Sequence, residues 1–576
     1  MLFLLRFFLF LLLGIAALPA QDLEKILPKQ LPANPPAQAP ETPEIPEGPG
    51  GREKIIEKVR ALVFVSREAQ IRKDGLPAFD GVRVGPGLPY LDAPAFRLKA
   101  EAFLGRPLTA DTLNQITRAV VAQYVANDHP VVDAAVPEQN IGNGIIQVTV
   151  IEGRIHEVRA KGNNWFGSEV LVNELGMRRG DSIPQSVLVS RLNWMNQNPF
   201  RDISAQFARG PEVGTTDLIL KTQDRFPARF YAGYDNSGNY TTGQDRWNYG
   251  FNYGNFLGLD QQLNYQYTTS SDWTRFNAHA GSYVIPLPWH HTVTFFGGYI
   301  TTLGHPSGTT LNGTSWQASG RYTAGLPTLG EFTQSLTGGY DFKQSNNNLE
   351  FGGLSVFNTT TDVSQFVVGY NAGYGDDWGT TSLGLTAYLS PGDMTDNNTN
   401  RAFTATRSKA DSEYIYGQVN LNRVTKLPWN FSWVVKGAYQ ASSGNLLGSE
   451  QFGLGGDGTV RGYQEREANG DQGWLASTEL RLPPFSLSQF FAPKFGTNIA
   501  NDPLQFLVFS DYGWTRNVDL LPGEDPNIYL WSVGPGFRYT LGKYVTAKLD
   551  YGWQLTDTGL RDPEASRGEL SVTISY

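Results

Sequence analysis

One arginine and one aspartate offer the most chemistry in this chain, and both lie in its C-terminal part. Val460-Arg461-Gly462-Tyr463 falls within Gly453–Arg466, a stretch too rich in glycine and charge to be a strand. Fifty positions on, Phe509-Ser510-Asp511-Tyr512-Gly513 lies where side chains alternate strictly. A planar guanidinium and a carboxylate make a bidentate, charge-assisted pair. In a dry or membrane-enclosed site neither is tolerated without the other. That chemistry fastens; it does not catalyse. On the Asp511 strand, Leu507, Phe509, Asp511 and Gly513 share one face, and Val508, Ser510, Tyr512 and Trp514 share the other. On the next strand Gly534, Gly536 and Arg538 fall on the same inner face, so the wall beside Asp511 is lined by glycines that leave room for an occupant.

Other chemistry finds little support. His129, His156, His279, His290, His291 and His305 show no ligand spacing, so no metal site is expected. No nucleophile elbow, phosphate-binding loop or dinucleotide fingerprint occurs, and neither an enzyme nor a cofactor is expected. A net charge of −9 argues against nucleic acid as a partner. The absence of cysteine excludes disulfides and suits passage through an oxidising compartment. Taken singly, Lys548, Asp550 and Arg538 read as charges that solvate a water-filled interior.

The elements that must hold Arg461 and Asp511 are membrane strands. The chain is 576 residues long, only 18% charged and 12% aromatic, too long for one compact domain. Beyond the N-terminus nothing is apolar for eighteen residues, whereas barrel strands need only about ten alternating ones. After Asp224 the composition turns to Gly, aromatic and polar residues with a period of two. Trp247, Tyr249, Phe251 and Tyr253 face lipid, with Asn248, Gly250, Asn252 and Gly254 facing inward. The same parity recurs in Leu263/Tyr265/Tyr267 and in Val545 through Trp553. Tyr and Trp at this density fit a membrane interface. Pro286–Trp289 reads as a short periplasmic turn; Lys343–Asn348 and Pro391–Arg401 read as long surface loops. The last strand, Glu569–Tyr576, carries Leu570, Val572, Ile574 and Tyr576 outward and must close the barrel, since an open edge in lipid leaves backbone groups unsatisfied.

Upstream, Met1–Ala20 reads as a cleavable signal peptide with an apolar core Phe7–Leu18. Asp22–Leu31 has helical spacing over about two turns. Residues Pro28–Gly51 hold eight prolines and should stay extended and unpacked. Glu53–Asp224 contains a β-α-α-β-β pattern twice. The first unit has a strand near Val59–Val65, a helix over Thr109–Ala126 facing inward with Leu113, Ile116, Val120, Val121 and Tyr124, and strands His129–Val136 and Ile145–Glu152. The second has a strand His156–Ala160, helices Ser168–Leu175 and Pro184–Asn196, and strands Asp202–Arg209 and Thr216–Lys221.

Together these residues make the chain resemble the POTRA-plus-barrel superfamily of outer-membrane protein transporters, whose sixth loop carries a Val-Arg-Gly-Tyr/Phe tetrad inside the barrel. Two POTRA-like units, with Asn198-Pro-Phe-Arg201 and Gly214-Thr-Thr-Asp-Leu218 in the second, narrow the resemblance to the two-partner secretion transporters (TpsB; haemolysin secretion/activation proteins). It implies an all-β transmembrane barrel of sixteen antiparallel strands, two α+β POTRA domains in the periplasm, and an N-terminal helix plugging the lumen. Val460, Arg461, Gly462 and Tyr463 are then the transport-loop motif, and Phe509, Asp511 and Gly513 its partner in the wall. The implied layout is signal peptide 1–20, helix and Pro-rich linker 21–52, POTRA 1 at 53–153, POTRA 2 at 154–224 and barrel 225–576, with an inward-folded loop at 453–466. The implied activity is secretion of an unfolded exoprotein, an adhesin or haemolysin, from periplasm to cell surface. Its implied partners are that polypeptide on the POTRA domains, outer-membrane lipid, and the barrel assembly machinery through the strand ending at Tyr576. The alternatives are a factor that inserts other barrels, whose relatives bear more POTRA units, and a passive porin or receptor, for which two preceding α/β units have no purpose. Two departures stand out: Ser66–Pro107 is long for a POTRA connection, and Asp22–Leu31 spans only about 15 Å as a helix against the ~25 Å apolar band of a barrel.

Overall fold

The computed structural model describes residues 26–31, 34–40, 50–240, 242–304, 309–351, 354–489, 502–521, 525–559 and 565–576. The expected signal peptide lies outside them, as does the helix Asp22–Leu31 except for its end. The chain divides into two compact units, one of residues 34–226 and one containing the barrel.

In the first unit, β1 (Ala61–Val65) is the hydrophobic centre of a four-stranded sheet ordered β2-β1-β4-β3, with β2 at Gly81–Val84, β3 at Val132–Ala135 and β4 at Ile145–Glu152. Helices α1 (Pro94–Glu101) and α2 (Ala110–Ala126) cover one face. Thr109 starts α2 by accepting the Thr112 N–H at 3.1 Å, satisfying one of the donors that a helix start leaves free. The α2 stripe Ile116, Val120, Val121 and Tyr124 packs on Leu62, Phe64, Ile146 and Val148 in one core. The long Ser66–Pro107 connection contains β2, which runs parallel to β1, and α1, so this sheet gains a strand over the simple β-α-α-β-β pattern.

The second sheet is ordered β5-β7-β6, from β5 (Arg154–Lys161), β6 (Arg201–Arg209) and β7 (Thr215–Asp224), under α3 (Ser168–Leu175) and α4 (Gln185–Met195). Beneath the helices Nη2 of the fully buried Arg201 donates to both oxygens of Glu174, at 2.7 and 2.9 Å. Burial outweighs the arginine's pull and raises the Glu174 carboxyl above its usual range. Glu174→Gln leaves that guanidinium without its counter-charge. The expected cost is about 3 kcal/mol of local stability, read as faster amide hydrogen exchange in α3 and α4 of the intact chain.

The Pro-rich segment is more firmly held than its composition suggests. Asn34 donates to the carbonyls of Asn196 (3.0 Å), Asn198 (3.0 Å) and Arg201 (2.6 Å), and Ala37 N–H bonds Asn193. The expectation of an unpacked linker is corrected at residues 34–37: one side-chain amide finds three carbonyls, at the end of α4 and in the turn into β6.

The barrel opens with Ala228–Asp235, ends with Ser566–Ser575, and closes by pairing those two strands. Backbone bonds between Phe230 and Tyr576, at 2.9 and 3.1 Å, finish the seam. Sixteen antiparallel strands result, because the two-residue Phe485–Ser486 continues Gln472–Arg481 along the same neighbour. Trp247, Phe295, Phe366, Val368, Trp433, Val508, Trp531 and Ile574 are exposed on the outside, where lipid replaces water. Asn248, Asn252, Asn264 and Gln266 are buried inside, bonded to one another and to neighbouring polar groups. Lys343–Asn348 is not a loop: it lies within the 20-residue strand Phe332–Phe351, paired on both sides. Lys343 is buried on Glu450 at 2.7 Å and Gln344 bonds Asp362 at 2.8 Å, so polar residues there find partners and do not break the ladder. Pro391–Arg401 is a connection, and it leads into a short helix, α5 (Asn400–Thr406).

Inside the wall, residues 26–30 run against Tyr231, Gln266, Ala278, Ala280 and Phe296. Lys29 N–H bonds the Tyr231 hydroxyl at 2.8 Å, and its Nζ lies 3.1 Å from the Thr573 hydroxyl. From Leu27 onward this stretch is not helical.

Candidate functional site

The connection between strands Ser432–Ser442 and Gln472–Arg481 turns back into the barrel. Phe452–Leu454 and Ala468–Gly470 pair as a narrow hairpin that carries the tetrad at its tip. Phe452, Leu454, Val460, Tyr463 and Ala468 bury themselves against Leu475 and Leu530 of the wall. An apolar patch on the inner surface thus gives a charged, glycine-rich segment something to fold onto.

Arg461 is 3% exposed. Its Nε and Nη2 meet the two oxygens of Asp511 at 2.7 and 2.8 Å, and its backbone N–H bonds the same carboxylate at 3.1 Å. Nη1 donates to Glu479 at 2.7 Å and lies 3.7 Å from Asp550. The guanidinium carbon sits 3.7 Å above the ring of Phe509, a cation–π contact in a desolvated setting. Gly513 leaves space that Leu454 and Val460 occupy: a Cβ there would approach them to 2.6 and 3.2 Å. The Tyr463 hydroxyl donates to the Thr556 carbonyl at 2.7 Å, and Gln554 bonds the Gly462 carbonyl at 2.6 Å.

The structure therefore brings Val460, Arg461, Gly462 and Tyr463 together with Phe509, Asp511 and Gly513. The lumen-lining set also has its occupants. A Cβ at Gly534 would fall 1.8 Å from the Tyr551 carbonyl oxygen and 3.0 Å from the Phe509 ring, a Cβ at Gly536 would fall 2.0 Å from an Asp550 oxygen, and Arg538 pairs with Asp550 at 2.8 and 2.9 Å.

Sequence reasoning missed Glu479 and underrated Asp550. Glu479 takes Arg461 on one oxygen and Arg481 on the other, at 2.7 Å each. The signal was available: on Gln472–Arg481 the alternation puts Gly473, Leu475, Ser477 and Glu479 on one face, and a carboxylate at an inward position needs a cation. Asp511, Glu479 and Asp550 thus face Arg461, Arg481 and Arg538, with Lys548 3.7 Å from Asp550, so every buried carboxylate of the site has a cation beside it and the arrangement fastens the loop to the wall. Among the described residues one histidine–carboxylate group has metal-like proximity, His156, Glu157 and Asp217 in the second α+β unit, with candidate ligand atoms within 4.8 Å. Arg159 pairs with both carboxylates there, and a hydrogen bond from His156, followed by the pull of Arg159, holds Asp217 below its usual range. The arginine supplies the positive charge that a metal would bring.

A closed sixteen-stranded barrel, preceded by two POTRA-like sheets and holding an arginine-tipped loop, defines an outer-membrane protein transporter. Residues 214–539 match the family described as haemolysin secretion/activation protein ShlB/FhaC/HecB, and residues 86–153 match the ShlB-type POTRA domain. The chain belongs to that family. It is 25% identical over 470 residues to the outer membrane transporter CdiB of Escherichia coli, covering 77% of this chain and 73% of the relative. To the heme/hemopexin transporter protein HuxB of Haemophilus influenzae it is 23% identical over 480 residues, covering 78% and 79%. The solved structure of CdiB from Escherichia coli superposes with a TM-score of 0.69 at 19% identity over 94% of each chain. CdiB from Acinetobacter baumannii gives 0.62 at 17% over 96% of each. The chain is an outer-membrane two-partner secretion transporter, with its POTRA region in the periplasm.

Proposed function

We propose that the chain captures its partner, unfolded, on the open sheet edges of POTRA 1 (53–153) and POTRA 2 (154–224) and passes it through the barrel (225–576), with the Arg461–Asp511 fastening governing the state of the lumen. The observation that carries this reading is the arginine fork buried on a wall aspartate inside a closed barrel. Without a nucleotide fuel in the periplasm, export draws on the passenger's own folding outside, so the transporter must hold an extended chain loosely. Strand addition does that: main-chain bonds give affinity with little demand on sequence. The edges β2 and β6 suit it. Gly81 and Gly85 turn their N–H groups toward β1, so those of Val82 and Val84 point outward. β6 pairs only with β7 and exposes Asp202, Ser204 and Gln206. We assign recognition by the barrel assembly machinery to the last strand, ending at Tyr576.

The test is export in cells that carry the transporter together with its secreted partner. A photo-cross-linking residue at Arg83 on β2 or at Ser204 on β6 is expected to trap the passenger in transit, and one at Arg118, on the outer face of α2, is expected to trap none. Equal trapping at all three would overturn the strand-edge reading. Normal export without the POTRA region would overturn the role of both units. A passive porin would conduct ions yet leave the passenger in the periplasm.

A further inference from the structure

The tetrad sits at the tip of a connection running from 443 to 471, and the two roots of that connection have ion pairs of their own. At the first root Glu450 is 3% exposed. It accepts from Lys343 Nζ at 2.7 Å, the Tyr416 hydroxyl at 2.8 Å and Gln365 Nε2 at 3.0 Å, from strands three to six places round the barrel from that of Asp511. At the second root Asp471 is fully buried. It takes Arg407 Nη2 at 3.1 Å and the backbone N–H groups of Leu446 and Val518 at 2.9 and 3.0 Å. Arg407 follows α5 directly. The helix is seated by Phe403 in a buried cluster with Tyr388, Tyr414 and Tyr416, to which the loop contributes Leu446 and Leu447. One amide joins the two roots: Gln440 Nε2 bonds the Glu450 carbonyl at 3.0 Å and the Asp471 carbonyl at 3.2 Å.

These contacts share no residue with the Arg461 cluster of Asp511, Glu479, Asp550 and Phe509. Networks without common partners respond independently when one is broken. We infer that the loop is a tethered flap: Glu450 and Asp471 are positioning residues that keep its roots in the barrel when Arg461 lets go, so the part that moves is the hairpin 452–470 and not the whole connection. The inference goes beyond the proposed function, because it fixes where the hinge lies whatever the passenger is.

The chain has no cysteine, so single reporters are clean. Gly338 on the wall, Gly448 at the root and Gly458 at the tip each have nothing within 4 Å of an added Cβ. Spin labels on Gly338→Cys/Gly458→Cys and Gly338→Cys/Gly448→Cys report tip-to-wall and root-to-wall distances by electron–electron dipolar spectroscopy in detergent. Arg461→Ala is expected to broaden the tip distribution and leave the root distribution unchanged. Glu450→Gln with Asp471→Asn is expected to broaden the root distribution as well. Should that double variant not give the heat-modifiable band of a folded barrel, Lys343→Met removes the charge partner from the wall instead and reads the same distance. A root that moves as far as the tip in Arg461→Ala would overturn the hinge. A root that stays fixed in the folded double variant or in Lys343→Met would overturn the role of the ion pairs.

Discussion

Arg461→Ala is expected to insert as a closed barrel and to cut secretion of the passenger by roughly tenfold or more, because the variant strands a buried carboxylate of the kind whose lost partner costs about 3–5 kcal/mol. The cost falls unevenly. Glu479 keeps Arg481, and Asp550 keeps Arg538. Asp511, fully buried, takes its hydrogen bonds from the Arg461 side chain and backbone N–H, and an alanine returns only the last of these. The double variant Arg461→Ala/Asp511→Ala separates two effects. If stranded charge were all that mattered, removing Asp511 as well would restore secretion. If the fork holds the loop in register, the double variant recovers thermal stability in a band-shift assay and still fails to secrete. Arg461→Lys belongs to the same test: a point charge cannot bridge Asp511 and Glu479 in the plane above Phe509, so it too is expected to secrete poorly. Wild-type secretion by Arg461→Ala would end the account of the fastening.

The barrel was legible in the sequence because a strand with lipid on one face and a polar interior on the other alternates by necessity, and register follows from parity. The same parity put Asp511, Gly534, Gly536 and Arg538 on one inner surface before any coordinates. What parity does not encode is which distant loop residue meets which wall residue. An enclosed arginine demands a carboxylate, and the resemblance to the transporter family implied that this carboxylate is Asp511. Glu450 and Asp471 are no less buried, and Arg407 is half-buried, yet they were invisible: they lie in connections with no periodicity, and their partners Lys343 and Gln365 sit in strands that read as loop or as ordinary polar lining. Lys343–Asn348 misled for a related reason. Composition does not tell a polar residue of a loop from one that a strand buries on its inner face, as Lys343 is buried on Glu450. The extra strand β2 was hidden by its shortness, with only Val82 and Val84 to mark it.

The second large effect is expected where no charge is involved. Gly462 adopts a left-handed backbone, φ +89°, and a Cβ there would fall 2.8 Å from the Gly552 carbonyl oxygen. From the wall side, a Cβ on Gly552 would meet the N and Cα of Gly462 at 2.7 Å and the Arg461 carbonyl at 2.8 Å. Both partners are backbone, so neither can swing aside as a side chain would. Any side chain at 552 must lift the tip from the wall, drawing Arg461 off Asp511 and breaking the Gln554 bond to the Gly462 carbonyl. Gly552→Ala is therefore expected to reproduce the secretion defect of Arg461→Ala with every charged residue in place, and Gly552→Val to deepen it. Gly568→Ala, on the neighbouring last strand, is the matched control: its Cβ meets only the Tyr551 ring at an ordinary 3.5 Å, and secretion should be unchanged. If Gly552→Val secreted normally while Arg461→Ala did not, the arginine would be acting through its charge alone. If both glycine variants failed alike, the barrel's tolerance for small changes would be at fault and not the seat of the loop. Failure at 552 with function at 568 locates the requirement in the close approach of two backbones, which lets a buried fork reach its aspartate.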